Sequence, residues 1–487
     1  MSGEERITEL EAALAERDMV IAELRSRIAE LEMMMGQDSG NSSTPPARDK
    51  TDRRARRAAQ AAERKAAKAS GKKSRAPGKQ PGAPGATLER RAPTVTVTHR
   101  PEVCRCCQAP LADAPVTGTA TRQVQDIPEP SLTVTDHVVE RRRCACGAQT
   151  TAVFPVEAIG PLCWGPRTKA VSAYLMGRQH LPLERCAEAM KVLFDAGISE
   201  GTLAGVLPDA AGRLEGFMGR LAVLIAASPV VHADETSTRV GVRLHWVHTI
   251  STPWLTYLAQ HSQRGMEAIE AIGVLNSYTG TIVHDGFATY DNLPGATHAQ
   301  CGAHLLRYLD KTAATASQWL WATSMRAVLL DAKTASETAA AAGQPTVADN
   351  VAAAIRVRYR HSLLAAFNAL PPGRPPPRKH RGGWSIEQRE AWNLATRLRA
   401  CEDQVLRLLV DTRVRFDNNE AERSLRMTKL HLKISGHFRS QTNATAFMTV
   451  RSYLQTGAKH DRHALDLLTR LWTTGAWLPT VANPATG

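Results

Sequence analysis

The sequence predicts a multidomain protein of mixed α+β and α/β class. Three observations predict it. Residues 4–35 repeat apolar side chains in heptads, and residues 92–152 set alternating β-type runs between two cysteine clusters. From residue 229, three β-rich runs are followed by helix, strand, helix and strand. At 487 residues the chain is also too long for one ordinary domain.

Composition narrows the function. The net charge is +14, and much of the excess sits in one tract: residues 50–91 carry 14 Lys/Arg against 3 Asp/Glu. Such a concentration points to a polyanion, most often nucleic acid, with a solubilising linker as the alternative. Nothing resembles a signal peptide, and no apolar run is long enough to span a bilayer. The expectation is a soluble, cytoplasmic protein, nucleoid-associated when on DNA, with no membrane partner. Nine cysteines fit no secreted disulfide framework at this length.

Residues 1–35 are expected to form a coiled coil. Ile7, Leu14, Ile21 and Ile28 share one heptad position, and Leu10, Arg17, Leu24 and Leu31 share the other. Ile at a with Leu at d favours a parallel pair, so a homo-oligomer is expected. Residues 36–91 form a flexible basic arm, opened by GQDSGNSSTPPARDK.

Residues 92–160 read as a small β module. TVTVTH (94–99) and LTVTDHVVE (132–140) alternate as strands do. Cys104, Cys107, Cys144 and Cys146 suit the four ligands of a structural Zn²⁺, and Cys106 is the spare, since Cys104 and Cys107 leave the more usual two-residue gap. Cys163, Cys186, Cys301 and Cys401 are scattered and read as core thiols. Residues 161–226 have helical spacing. Gly197 followed by Ser199 and Glu200 gives a stop, a turn and a new N-cap, which resembles a helix-turn-helix with 199–207 as recognition helix.

Residues 227–310 hold the strands SPVVHADETSTRV, RLHWVHTI and WLTYLAQ, a helix over 264–275, then TGTIVHDGFATYD and THAQC. That order is the core of a ribonuclease-H-like fold. Residues 311–410 read as a helical insertion, 411–475 as the last part of the core, and 476–487 as a loose tail.

Asp234 is expected to end the first apolar strand and Asp285 the fourth. A carboxylate there is costly unless solvated, paired or bound to metal. In 411–440, Asp417, Asn418 and Asn419 are good N-caps, and Glu422, Arg426, Lys429 and Lys433 then share one helix face. Asn419 with Glu422 also fits a capping box, and Glu422 with Arg426 a surface ion pair. If the two strands lie side by side and this helix crosses them, three carboxylates meet. Such a set suits Mg²⁺ or Mn²⁺ and in-line phosphoryl transfer.

These residues carry a resemblance. HADET (232–236), DGFATY (285–290), CGAHLLR (301–307), FDNNEAERSLR (416–426) and KISG (433–436) resemble the motifs of bacterial DDE transposases of the insertion sequence 66 family. The likeness runs nearly end to end. It includes the heptads, the Asn-Ser-Ser-x-Pro-Pro linker at 41–46, the cysteine module and the helical segment. The resemblance implies an acidic triad at Asp234, Asp285 and Glu422, holding Mg²⁺ or Mn²⁺. It also implies a basic residue seven positions after the glutamate, which falls on Lys429. Glu420 is the competing glutamate, but seven positions past it lies Met427. Cys301 and His304 read as positioning residues rather than a second metal pair, since two ligands do not make a site. The implied activity is binding of insertion-sequence ends, cleavage there, and joining of the 3′ ends to target DNA. Arg423, Arg426, Lys429 and Arg439 are the candidates for DNA-backbone contact, and accessory proteins of the same element are implied as partners. The alternatives are a DNA-binding regulator, which needs no triad, and a nuclease that cuts without joining.

Overall fold

The computed structural model describes residues 88–155, 158, 160–376 and 383–480. The chain divides into two compact units, Met1–Ser39 with Pro46–Leu132 and Gly40–Pro45 with Thr133–Gly487. The expected coiled coil and nearly all of the basic arm lie outside the described residues.

In the first unit, residues 88–132 run mostly without regular structure. Gln123 clips one stretch to another: its Nε2 donates to Arg91 O at 2.6 Å and its Oε1 accepts from Arg91 N at 2.9 Å. A tight turn holds the first cysteines, with Cys104 N donating to Ala109 O (2.8 Å) and Gln108 N to Cys104 O (2.9 Å). The strands expected over 94–99 and 132–140 are not formed. Alternation makes a strand only where one face can be buried, and Val95, Val97, Val134 and Val138 are 68–84% exposed. In the second unit an antiparallel hairpin forms instead between β1 (Arg141–Arg143) and β2 (Gln149–Thr151). It folds around a second cysteine turn, where Cys144 N donates to Ala148 O and Gly147 N to Cys144 O.

The rest of the second unit is built on a five-stranded sheet of order β5-β4-β3-β6-β7. Its strands are β3 (Val230–Val240), β4 (Arg243–Ser251), β5 (Thr256–His261), β6 (Thr281–His284) and β7 (Thr297–Gln300). The first three are antiparallel neighbours, while β6 runs parallel to β3 and β7 parallel to β6. A short helix, α5 (Met266–Ile272), makes the crossover from the meander to β6.

Among the described residues, four helices precede the sheet: α1 (Pro166–Gly177), α2 (Leu183–Phe194), α3 (Glu200–Arg213) and α4 (Glu215–Ala226). Ser199 caps α3, its side chain accepting from Thr202 N at 3.2 Å. α2 ends on left-handed Asp195 rather than at Gly197, and α3 runs past 207 through Pro208. These helices share one core with the sheet. Leu203, Phe217, Leu221 and Ile225 pack with Val231, Ala233, Ile250 and Ile282, and with Val450, Tyr453 and Leu454 of α12 (Gln441–Lys459).

After β7 the chain enters a helical insertion with its own core. It comprises α6 (Gly302–Ala313), α7 (Trp319–Ala341), α8 (Asp349–Asn368), α9 (Ile386–Ala400) and the short α10 (Glu402–Val405). Leu305, Leu309, Trp321, Met325, Tyr359, Leu363, Leu394 and Leu398 fill its interior. The helix expected over 385–410 is broken at Cys401 and ends in a 3₁₀ turn, Arg407–Leu409. The chain then returns as α11 (Asn419–Ile434), which packs on β3 and β4, followed by α12 and α13 (Ala464–Leu471). Among the described residues no helix is long and apolar enough to cross a membrane.

Candidate active site

Alternation along β3 sends its residues to two faces. Val231 and Ala233 enter the core shared with α1–α4. Val230 packs on the other face with Val414, and Val240 with Leu425 of α11. Asp234 has the parity of that second face, so it points toward α11. It does not end its strand as expected, because β3 continues to Val240. What ends is its parallel neighbour. The ladder between β3 and β6 closes at His232↔Val283, and two rows further on Asp234 falls level with Asp285, just past the end of β6.

Asp285 is held by its own turn, with Oδ1 accepting from Phe287 N at 2.9 Å. Gly286 follows at φ +90, and a Cβ there would lie 1.7 Å from Arg397 Nη2. That guanidinium comes from α9. It donates to Asp285 O at 2.8 Å and to Gln300 Oε1 at 2.9 Å, so the insertion grips the ends of β6 and β7.

Glu422 lies in the first turn of α11. Its Oε1 is 3.6 Å from both His304 Nδ1 and Arg307 Nη2 on α6. Of the alternative readings of Glu422, neither the ion pair with Arg426 nor the capping box with Asn419 is formed; Asn418 holds the N-cap position without a side-chain cap bond. The Asn418 side chain, fully buried, goes to the sheet instead. Nδ2 donates to Ala233 O at 2.8 Å, and Oδ1 lies 3.0 Å from His232 Nδ1. Burial pushes the His232 imidazole down to about 4, so it is neutral; the amide oxygen can only accept, so Nδ1 carries the proton. Asn418 N–H also donates to Cys301 Sγ at 3.2 Å, and Gly302 N donates to Phe416 O at 2.7 Å. The starts of α6 and α11 are thus tied to each other and to β3.

Asp234 feels the other acids. Asp234 is pushed up to about 8, first by burial, then by the charges of Glu235 and Asp285, with Glu422 adding to them. A buried carboxyl crowded by other carboxylates fits a divalent cation with oxygen ligands. Cys301, His304 and Glu422 offer ligand atoms within 4.8 Å of one another, whereas Asp234, Asp285 and Glu422 are not a group that close. Burial first, and Arg307 second, push the His304 imidazole down.

Glu420 is engaged elsewhere. Its Oε2 lies 3.5 Å from Lys459 Nζ, which also donates to Leu255 O at 2.8 Å. Of the cations singled out in the sequence, Arg423, Arg426 and Arg439 are exposed and Lys429 is half-buried.

Behind Asp234, on the opposite face of β3, sits a network the sequence reading missed. Glu235, with a side chain 1% exposed, accepts from Arg264 Nε and Nη2 at 3.0 and 2.7 Å and from the Tyr290 hydroxyl at 2.9 Å. The Arg264 guanidinium lies over the Phe287 ring at 4.0 Å and the Trp246 ring at 4.9 Å. Tyr290 and Phe287 stand in the loop that begins with Asp285, so this network braces that loop against β3.

A mixed sheet with helices on both faces, carrying acids where two parallel strands and a crossing helix meet, defines an α/β protein with a carboxylate-rich site. Residues 162–446, more than half of the chain, match the family model described as Transposase IS66 family, and the chain belongs to that family. It is therefore a transposase, with DNA as its partner and divalent metal as the family's general cofactor. Residues 3–89 match a second model, described as a family of unknown function. No curated protein matches the chain.

Proposed function

We propose that Asp234, Asp285 and Glu422 are the metal-binding acids of a ribonuclease-H-like core, which cleaves the ends of its own insertion sequence and joins the 3′ ends to target DNA. The observation that carries this reading is the placement of Asp234 level with Asp285 across β3 and β6, on the face of the sheet that α11, the helix of Glu422, crosses. Burial first, then the charges of Glu235 and Asp285, with a smaller part from Glu422, push the Asp234 carboxyl up to about 8, as a site built for added positive charge does. Bound Mg²⁺ or Mn²⁺ would supply Lewis acidity to the scissile phosphate and to the attacking water or 3′-hydroxyl. Arg397 and the Glu235 network hold the Asp285 loop, and Asn418 ties the start of α11, which carries Glu422, to β3, which carries Asp234. Exposed Arg423, Arg426 and Arg439, with Lys429, line the same helix and the turn after it and suit phosphate contacts.

The cysteine turns support a structural role for Zn²⁺. Amides of Cys107 and Cys106 push the Cys104 thiol down, and the amide of Cys146 does the same for Cys144, which favours the thiolates that zinc needs. Each turn, Cys104 with Cys107 and Cys144 with Cys146, offers a ligand pair. The heptads of residues 4–35 would pair protomers so that two element ends are held together.

The test is a strand-cleavage and strand-joining assay with element-end DNA and Mg²⁺. Wild type should nick and join, and Asp234→Asn should bind the DNA without nicking it. Unchanged cleavage by that variant rejects the site. Binding with no cleavage by wild type indicates a regulator, and cleavage without joined products from pre-cleaved ends indicates a nuclease.

A further inference from the structure

We infer that His304 is a further ligand of the cation held by Glu422, so that this ion is bound through nitrogen as well as oxygen. The inference rests on the proposed reading of Asp234, Asp285 and Glu422 as metal-binding acids.

His304 Nδ1 is buried and has no hydrogen-bond partner, although it lies 3.6 Å from Glu422 Oε1. That separation is too long for a hydrogen bond. It lies between the two donor spacings on one six-coordinate ion, about 3 Å for adjacent positions and about 4 Å for opposite ones when each bond is about 2.1 Å, so a modest side-chain shift brings both donors onto one ion. An orphaned buried nitrogen is costly, and a shared cation would satisfy it together with the carboxylate.

The pairing is built rather than incidental. Asn418 N donates to Cys301 Sγ and Gly302 N donates to Phe416 O, so the residues just before His304 and just before Glu422 are bonded to each other. Gly302 has no room for a side chain, since a Cβ would lie 2.3 Å from the Phe416 ring. Arg307, the other group near Glu422 Oε1, is 62% exposed and is free to move to a phosphate when the ion binds. An imidazole ligand tilts the site from Mg²⁺, which prefers an all-oxygen shell, toward first-row transition ions.

The experiment is pulsed EPR of Mn²⁺ bound to the full-length protein, with Mn²⁺ and Mg²⁺ affinities measured beside it. Wild type should show ¹⁴N modulation from a directly bound imidazole. His304→Ala and the gentler His304→Gln should lose that modulation, weaken Mn²⁺ binding about tenfold or more, and change Mg²⁺ binding much less. Thermal melts of both variants check that they remain folded. Mn²⁺ binding that depends on Asp234 and Glu422 but shows no ¹⁴N modulation, or modulation that survives in His304→Gln, overturns the inference and leaves the acid triad standing. Mn²⁺ binding unaffected by Asp234→Asn and Glu422→Gln overturns both.

Discussion

Asn418 and His232 form a buried polar pair, Oδ1 to Nδ1 at 3.0 Å, that fastens the start of α11 to β3 two residues before Asp234. The same amide donates to Ala233 O, so one side chain fixes the distance between the strand that carries one acid and the helix that carries another. Asn418→Ala leaves His232 and the Ala233 carbonyl unpaired in the interior. The expected cost is about 2–3 kcal/mol in denaturant unfolding. Single-turnover cleavage should fall more than DNA binding, because Glu422 loses its register with Asp234. An Asn418→Ala variant that melts and cleaves like wild type would remove this pair from the mechanism.

The Glu235–Arg264–Tyr290 network behaves as a brace, and its parts differ in weight. Removing Arg264 strands a buried carboxylate, so Arg264→Ala should cost about 3–5 kcal/mol. Tyr290→Phe removes one donor and should cost about 1–2 kcal/mol. In Arg264→Ala with Glu235→Gln together, the loss should be well below the sum of the two single changes, since the stranded charge is gone. A double-mutant cycle by chemical denaturation measures this. Additive losses would mean that Arg264 acts through its rings, Phe287 and Trp246, rather than through Glu235.

The two glutamates of α11 should separate cleanly. Glu420 is paired with Lys459, whose amine burial lowers to about 8. Glu420→Gln should therefore destabilise by about 1–2 kcal/mol and keep cleavage. Glu422→Gln relieves like-charge crowding around Asp234, so it should melt at or above the wild-type temperature in chelator and fail to cleave. Reversal of these two phenotypes would move the catalytic assignment to Glu420.

Why some of this was legible in sequence, and some not, follows from range. Asp234 and Asp285 stand out because a carboxylate in or beside an apolar run needs a reason within a few residues of itself. Glu422 stands out because helical spacing puts it on one face with Arg426 and Lys429. The strand order of the sheet follows from consecutive alternating runs and one crossover helix. The partners of those acids come from far along the chain. Glu235 meets Arg264 and Tyr290 only after the meander and crossover close, and His304 meets Glu422 from across the whole insertion. Asn418 has the composition of a cap, and nothing local says that its side chain serves β3 instead of its own helix. The Val/Thr runs at 94–99 and 132–140 show the converse: a local pattern with no surface to bury stays irregular.

The pH dependence of stability should report the burial of Asp234 and its crowding by Glu235 and Asp285. Asp234 in the folded protein holds its proton to about pH 8, whereas in the unfolded chain a carboxyl of this type releases it near pH 4. Below both values the proton is bound in both states and the group contributes nothing. Between them the folded state binds the proton and the unfolded state does not, so stability falls as pH rises through that window. Asp234→Asn has no such proton. In chelator its melting temperature should match wild type at about pH 4 and exceed it increasingly toward pH 8, with each kcal/mol appearing as about 2–4 °C. Mg²⁺ or Mn²⁺ at pH 8 should raise wild type, release protons on binding, and leave Asp234→Asn nearly unmoved. A gap between the two proteins that stays constant from pH 4 to 8 would mean that Asp234 is not the buried, crowded carboxyl on which the metal site depends, and that site would have to be sought elsewhere.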